Sequence, residues 1–129
     1  MPFTFVIDKH LNAIRETWTG NVTLQDLKES SQEEWSHPDY QKHLHMICDF
    51  RQATVSMSMG EVWTFVNWFG QNESLSKHAI VVTREVGYGL ARMFSSISEG
   101  TKQHSDSLRI FQSYEEAEKW IGEPIPEKK

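Results

Sequence analysis

The second half of the chain alternates short apolar runs with helix-like segments, and this order constrains the fold more than any other feature. Lys77–Thr83 and Leu108–Phe111 are rich in apolar and β-branched residues, as strands are. Val86–Glu99 and Ser113–Ile121 read as helices, and each is followed by a glycine. Strands that alternate with helices predict parallel pairing through crossover connections. This half of the chain therefore predicts an α/β fold.

The first half predicts a hairpin followed by a helix. Phe3–Ile7 and Ala13–Thr19 have strand character and are separated by a short polar turn, so we expect an antiparallel pair. Thr23 and Asp26 have the spacing of a capping box, in which each side chain bonds the other residue's backbone N–H. The helix that begins there is polar, so we expect it to be well exposed. It ends before Pro38, because the residue preceding a proline avoids the helical region.

Two further elements complete the order. Leu44–Phe50 predicts an interior strand, with Arg51–Met57 as the connection that follows it. Ser58 and Glu61 predict a second capping box, at the start of an aromatic helix that ends at Gly70. The fold class is therefore α/β: a single mixed sheet, antiparallel in its N-terminal hairpin and parallel afterwards, with four helices in the order β-β-α-β-α-β-α-β-α. The sequence leaves open whether the helices cover one face of the sheet or both.

Composition limits the class of protein. The chain has 129 residues and a net charge of −5, and its Lys and Arg residues are scattered, so the basic patch of a nucleic-acid binder is missing. We expect one domain over residues 1–122, a flexible tail over 123–129, no signal peptide and no transmembrane segment, since no apolar run approaches ~20 residues. Cys48 is the single cysteine, which favours a reducing, cytoplasmic location.

Three segments resemble a known family. They are the Cys48–Arg51 run (CDFR) at the end of a strand, Gly89–Phe94 (GLARMF) after a strand that ends in VVT, and the closing Leu108–Ile121 segment (LRIFQSYEEAEKWI). With the order of elements, they resemble the anti-sigma-factor-antagonist (STAS) domain and, more closely, its SpoIIAA-like relatives. The resemblance covers nearly the whole chain.

The resemblance implies a mixed sheet flanked by helices and no known enzymatic step. Anti-sigma-factor antagonists carry a phosphorylatable serine at the start of the helix after the third strand, within an Asp-Ser-Ser-Gly string. That string is absent from Ala53–Gly60 of this chain, where Ser56 and Ser58 are the candidate phosphorylation sites. Other relatives are likened to the CRAL-TRIO lipid-transfer fold, which implies an apolar ligand pocket.

The candidate binding residues lie at the carboxyl edge of the predicted sheet. Asp49, Arg51 and Arg84 are expected there, and ligands of open α/β sheets bind at that edge. Trp63 and Trp68 flank the core stripe of the aromatic helix, where they could complete the core, line an apolar pocket or contact a partner. The sequence offers no catalytic residue, no cofactor motif and no recognised metal-ligand spacing.

These observations favour a non-catalytic regulatory or binding module that acts through protein–protein contact. One alternative is a carrier or sensor of an apolar or amphipathic molecule such as a lipid, held beside the aromatic helix. A further alternative is a metal-dependent enzyme that uses His43, His45 and Asp49, because residues two apart on a strand project from one face. The partner and the oligomeric state stay open, and a homodimer is among the options.

Overall fold

The computed structural model describes residues 3–58, 60–61, 64, 77–83 and 108–123. Five strands form one sheet in the order β1-β2-β3-β4-β5. In chain order the described elements are β1 (Phe3–Asp8), β2 (Ala13–Val22), α1 (Leu24–Trp35), β3 (His45–Val55), β4 (His78–Val81), β5 (Leu108–Phe111) and α2 (Tyr114–Gly122). Of the predicted tail 123–129, only Glu123 is among the described residues.

The strand directions confirm the predicted mixed sheet. β1 and β2 pair antiparallel, with Phe3 opposite Trp18 and Asp8 opposite Ala13. β2 with β3, β3 with β4, and β4 with β5 all pair parallel. Parallel neighbours need a crossover between them, and α1 is the described crossover from β2 to β3.

A side chain caps the start of α1 and of α2, and the cap of α1 is the box that the sequence predicts. The Thr23 hydroxyl accepts the Asp26 N–H at 3.3 Å, and the Asp26 carboxylate accepts the Thr23 N–H at 2.9 Å, which completes the box before α1. Ser113 accepts the Glu116 N–H at 3.3 Å before α2. These bonds satisfy N–H groups that have no partner inside the helix.

The described residues contain two full helices, and they do not support the predicted count of four. Of the aromatic helix over Ser58–Gly70, the structure describes only the start: Gly60, Glu61 and Thr64 are helical. The Ser58–Glu61 capping box is formed, since the Ser58 hydroxyl accepts the Glu61 N–H at 3.1 Å. The predicted helix over Val86–Glu99 lies outside the described residues.

β2 is longer than its sequence pattern predicts. The pattern ends at Thr19, before a glycine, but β2 continues through Gly20 to Val22. Gly20 has a φ of 70°, a conformation that glycine adopts without the steric cost that other residues incur. The glycine therefore lies within the strand and does not end it.

β3 is also longer, and a bulge is the reason. Alternation predicts an end at Phe50, whereas the strand continues to Val55, so the predicted connection was wrong over its first five residues. After the Thr17–Asp49 pair the register shifts, because β3 carries one more residue than β2. Phe50 and Ala53 consequently face the same core cluster although they are three residues apart. A strict period of two cannot detect such a strand.

The two faces of the sheet carry separate apolar clusters. On the first, the Trp18 ring stacks on Phe3 and Phe50 with centroids 5.0 and 5.5 Å apart, and Leu27 of α1 packs against them. We call this the α1 face. The opposite face, the α2 face, is covered by α2 in a cluster of buried residues: Ala13, Ile47, Ala79, Val81, Ala117, Trp120 and Ile121. The described helices therefore cover both faces.

α1 is not the well-exposed polar helix that the sequence predicts. Ser30, Ser31 and Glu34 are buried in it, and Glu16 of β2 is buried as well. The hydroxyls of Ser30 and Ser31 donate to the Leu27 carbonyl at 2.8 and 3.1 Å, so the helix itself satisfies them. Hydropathy assigns serine and glutamate to solvent, which is why the prediction was wrong.

A buried lysine fixes the C-terminus of α2. Lys77, only 5% exposed, precedes β4, and its Nζ donates to the Trp120 carbonyl at 2.7 Å and to the Glu123 carbonyl. The same Nζ lies 5.3 Å from the centre of the Trp120 ring. The last carbonyls of a helix carry partial negative charge, so an ammonium group is favourable there. Burial lowers the pKa of Lys77, and the negative charge of Glu123 opposes this shift.

Replacing Lys77 with Met should destabilise the fold. The substitution keeps the length of the side chain but removes the Nζ donor from the Glu123 carbonyl and from the Trp120 carbonyl, which keeps only the Glu123 N–H at 3.2 Å. We expect a cost of about 1–3 kcal/mol in the free energy of unfolding. Lys119→Met is the matched control, because Lys119 is exposed in the last turn of the same helix, and it should cost under ~0.5 kcal/mol. Urea denaturation of both variants measures the difference, and equal losses would contradict the anchoring role of Lys77.

Candidate functional site

The carboxyl edge of the parallel sheet is stepped. The last residues of β4 and β5, Val81 and Phe111, are in register with Asp49 of β3. β2 and β3 continue together beyond this point to Val22 and Val55. Asp49 thus lies at the carboxyl end of the neighbouring strands, as predicted, but near the middle of its own strand. The step lies at the edge of the sheet where ligands of α/β proteins bind.

Asp49 and Arg51 form a bidentate ion pair at this step. Arg51 Nε donates to Asp49 Oδ1 at 2.9 Å and Nη2 donates to Oδ2 at 2.8 Å. The Arg51 backbone N–H also donates to Oδ1, at 3.0 Å. The Arg51 side chain is 46% exposed, whereas that of Asp49 is 14% exposed. A fixed guanidinium that stays half open to solvent still has donors to offer a partner.

Tyr114, the first residue of α2, lies between two arginines. The Arg51 Cζ is 5.4 Å and the Arg15 Cζ 5.8 Å from the centre of its ring, and Arg15 Nη1 donates to Tyr114 Oη at 3.0 Å. Arg15 also pairs with Asp8 at 2.9 Å and with Glu118 at 2.6 Å. We call these residues the arginine–tyrosine cluster: Asp8, Arg15, Asp49, Arg51, Tyr114 and Glu118.

The ion pairs of this cluster shift the ionisation of its members. Burial alone would raise the pKa of Asp49, but the hydrogen bonds and charge of Arg51 hold it below its ordinary value. A backbone hydrogen bond from Leu11 and the Arg15 side chain lower the pKa of Asp8. Burial alone would lower the pKa of Arg15, but its bonds to Tyr114, Glu118 and Asp8 raise it. Asp8, Arg15 and Asp49 are therefore charged near neutral pH.

The α2 face continues beyond the step as an uncovered surface. α2 packs against β3, β4 and β5. Apart from Arg51, the residues that β2 and β3 present on the α2 face at and beyond the step are exposed and uncharged: Thr17, Thr19, Asn21, Gln52 and Thr54. We call them the open sheet patch. They offer hydrogen-bond donors and acceptors at low desolvation cost beside Arg51.

Both candidate phosphorylation sites lie at the same carboxyl edge and are exposed. Ser56 follows β3; its N–H donates to the Val22 carbonyl at 2.9 Å and its hydroxyl bonds the Asn21 side chain. Ser58 caps the next helix through Glu61. Ser56 therefore contacts the open sheet patch through Asn21, and Ser58 follows it two residues later in the chain.

The histidine constellation does not form as expected. His43 precedes β3 with a φ of 74°, so it does not share a strand face with His45. His45 Nδ1 accepts the Lys77 N–H at 3.0 Å, and burial and the Lys77 charge lower its pKa. Asp49 is engaged by Arg51. The described part of the chain contains no group of three or more His, Cys, Asp or Glu residues placed to hold a metal ion.

Cys48 lies among buried carboxylates on the α1 face. Burial, together with the charges of Glu16 and Glu34, raises the pKa of its thiol. A thiol held in its protonated form is a poor nucleophile.

Three candidate residues, Trp63, Trp68 and Arg84, lie outside the described residues. Conversely, sequence reasoning missed Arg15 and Tyr114. Arg15 did give a signal, because it is a charged residue that alternation places on the same strand face as the buried Ala13. Tyr114 gave none, since its contact with Arg15 spans 99 residues of sequence.

No known protein family matches the sequence of this chain, and no curated protein is similar to it in sequence. Among solved structures, the chain is similar to an uncharacterised protein of the DUF3478 family from Shewanella loihica PV-4, which is described as having a SpoIIAA-like fold. The TM-score is 0.59, with 13% identity, over 92% of this chain and 93% of that chain. At this identity the likeness shows the fold alone. The chain has a SpoIIAA-like fold, as the sequence resemblance predicts.

The two described helices were compared with what a membrane-spanning helix requires. Within the described ranges, neither helix has the length and the apolar character needed to cross a bilayer.

The stability lost on replacing Asp49 with Asn should depend on pH if Asp49 forms an ion pair with Arg51. The pKa of Asp49 is lower in the folded state than in the unfolded state. Its ion pair therefore contributes fully to the free energy of unfolding above the unfolded pKa of about 3.9, and this contribution is lost as the pH falls through the lower pKa of the folded state. We expect Asp49→Asn to lower the free energy of unfolding by about 1 kcal/mol at pH 7, and this loss to shrink toward zero as the pH falls below the folded pKa of Asp49.

Asp39→Asn is the control, because Asp39 forms only an exposed pair with Lys9 at 3.5 Å. Denaturant unfolding from pH 2 to 7 measures both variants. A destabilisation by Asp49→Asn that is the same at every pH would contradict the ion pair.

Proposed function

We propose that the protein is a non-catalytic regulatory module that binds a partner protein through Arg51 and the open sheet patch. The observation that carries the proposal is the Arg51 guanidinium, which Asp49 and Tyr114 hold in one orientation while nearly half of the side chain stays open. A charged group fixed in advance loses little conformational entropy on binding. Arginines of this kind are frequent among the residues that dominate binding energy.

The surroundings of Arg51 support a protein partner over a small anion. Its charge is already neutralised by Asp49, and Arg15 is likewise paired with Asp8 and Glu118. A site for a free anion would keep uncompensated positive charge. A guanidinium whose charge is already paired, beside uncharged Thr and Gln side chains, instead resembles the polar part of a protein interface.

The fold and the environment of Cys48, the candidate nucleophile among the described residues, support a binding role over a catalytic one. A SpoIIAA-like fold suggests a regulatory module of the STAS type. The thiol of Cys48 has a raised pKa, and His45 accepts a backbone hydrogen bond through Nδ1. A lone cysteine, which cannot form an internal disulfide, supports a cytoplasmic location for this module.

Arg51→Ala should abolish partner binding. Tagged protein is used to recover partners from lysate of the source cells, and recovery is measured by quantitative mass spectrometry. Arg109→Ala is the matched control, because Arg109 is also an exposed strand arginine stacked on an aromatic ring, at 5.3 Å from Trp120. We expect a partner whose recovery falls at least about tenfold with Arg51→Ala and is unchanged with Arg109→Ala.

Two outcomes would contradict the proposal. One is a wild-type protein that enriches no protein over the tag alone, and the other is equal recovery by both variants. Native mass spectrometry of the purified chain is run in parallel, because a bound lipid mass without any partner would favour the carrier alternative.

Regulation of this contact by phosphate at Ser56 or Ser58 is the finer part of the proposal. Both serines are exposed, and the Ser56 hydroxyl bonds Asn21 of the open sheet patch. A phosphate on either serine would add negative charge next to a helix N-terminus, which tolerates it. The fold would be kept while the surface offered to the partner changes.

Ser58→Asp isolates the effect of charge at this position. Aspartate caps a helix as well as serine does, so we expect an unchanged melting temperature and about tenfold weaker partner binding. Ser58→Asn is the control, because asparagine caps equally well and carries no charge. Equal binding of the partner by these two variants would contradict a charge-operated switch at Ser58.

A further inference from the structure

Among the strands that the structure describes, β1 pairs with β2 alone, so its outer edge has no strand partner within those residues. β1 is the first strand in the order of the sheet, and β2 is its neighbour on the inner side. The backbone groups of alternate residues on an edge strand point away from the sheet and can pair with another strand. Proteins commonly protect such edges with proline, lysine or a bulge. β1, with the sequence FTFVID and an unbroken register against β2, has none of these.

Apolar side chains at this edge are incompletely buried on both faces of the sheet. Val6 is 65% exposed on the α2 face and is the large hydrophobic residue left exposed in the described part of the chain. Phe5 and Ile7, on the α1 face, are only half-buried. An added strand would cover all three side chains at once.

The charge at this edge is balanced, although the chain as a whole carries a net charge of −5. Asp8 is paired with Arg15 at 2.9 Å, and Lys9 with Asp39 at 3.5 Å. Two copies that meet here would therefore not bring together unpaired charges of the same sign.

We propose that β1 pairs antiparallel with β1 of a second copy, which makes a ten-stranded sheet across a two-fold axis at Val6. Residues directly opposite in an antiparallel pair lie on the same face. An axis at Val6 places Val6 against Val6 of the second copy, Phe5 against Ile7, and Thr4 against Asp8. Each apolar side chain thus meets an apolar one, and the carboxylate meets a hydroxyl. This contact is separate from the arginine–tyrosine cluster and does not depend on the proposed function.

The pairing is testable by sedimentation velocity of the full chain. One strand pair is smaller than the roughly 1,200–2,000 Å² of a stable complex, so dissociation constants between about 1 μM and 1 mM are expected, and concentrations must cover that range. Wild-type protein should shift from monomer to dimer with concentration. Protein that stays monomeric throughout would overturn the proposal.

Two variants identify the contact. Val6→Glu places two carboxylates at the two-fold axis and should raise the dimer dissociation constant at least about tenfold. It should still fold, because Val6 lies opposite Arg15 within the monomer, and circular dichroism checks this. Gln112→Glu is the control, since it adds the same carboxylate at an exposed position just after β5, away from β1, and should leave dimerisation unchanged. Equal dimerisation by Val6→Glu and wild type, or an equal loss with Gln112→Glu, would overturn the proposal.

Discussion

The parallel pairing of β2 with β3, and the bulge within it, is the constraint on which the rest of the structure depends. β2 joins the antiparallel hairpin to the parallel strands, and β3 is paired with it along almost its whole length. Because β3 carries an extra residue after Asp49, the alternation shifts and Ala53 enters the core. The extra residue also leaves Arg51 free to turn toward Asp49 and Tyr114. The same irregularity therefore extends the sheet and builds the candidate site.

Buried polar groups hold the other side of this site in place. Tyr114 can lie between Arg15 and Arg51 only if α2 is fixed on the sheet, and the buried Lys77 binds the far end of that helix. On the α1 face, the buried Glu16 accepts the Trp18 Nε1–H at 2.8 Å, within the aromatic stack of the core. These bonds cost more to break than exposed pairs do, because a buried group left without its partner is not rehydrated. Lys77 thus fixes the end of α2 that lies opposite Tyr114.

Local sequence signals predicted much of the fold and little of the site. Capping at Thr23 and Ser58 depends on residues three apart, and β5 is a short apolar run with clear ends, so these features follow from the sequence. The extension of β3 does not, because a bulge breaks the period of two. The burial of the serines in α1 and the contact between Arg15 and Tyr114 could not be predicted either, because both depend on tertiary packing and not on local sequence. Asp49 and Arg51 were predicted from their place near a strand end, and their mutual pairing emerged only with the geometry.

Cross-strand nuclear Overhauser contacts between backbone protons of β2 and β3 test the central claim most directly. They report which residues lie opposite each other in solution and so locate the bulge. The structure predicts contacts that place Thr17 opposite Asp49 and Thr19 opposite Gln52, with Val22 opposite Val55. An unbroken register that places Thr19 opposite Arg51 would contradict the account, because Arg51 would then be an ordinary ladder residue with no extra freedom to reach Tyr114.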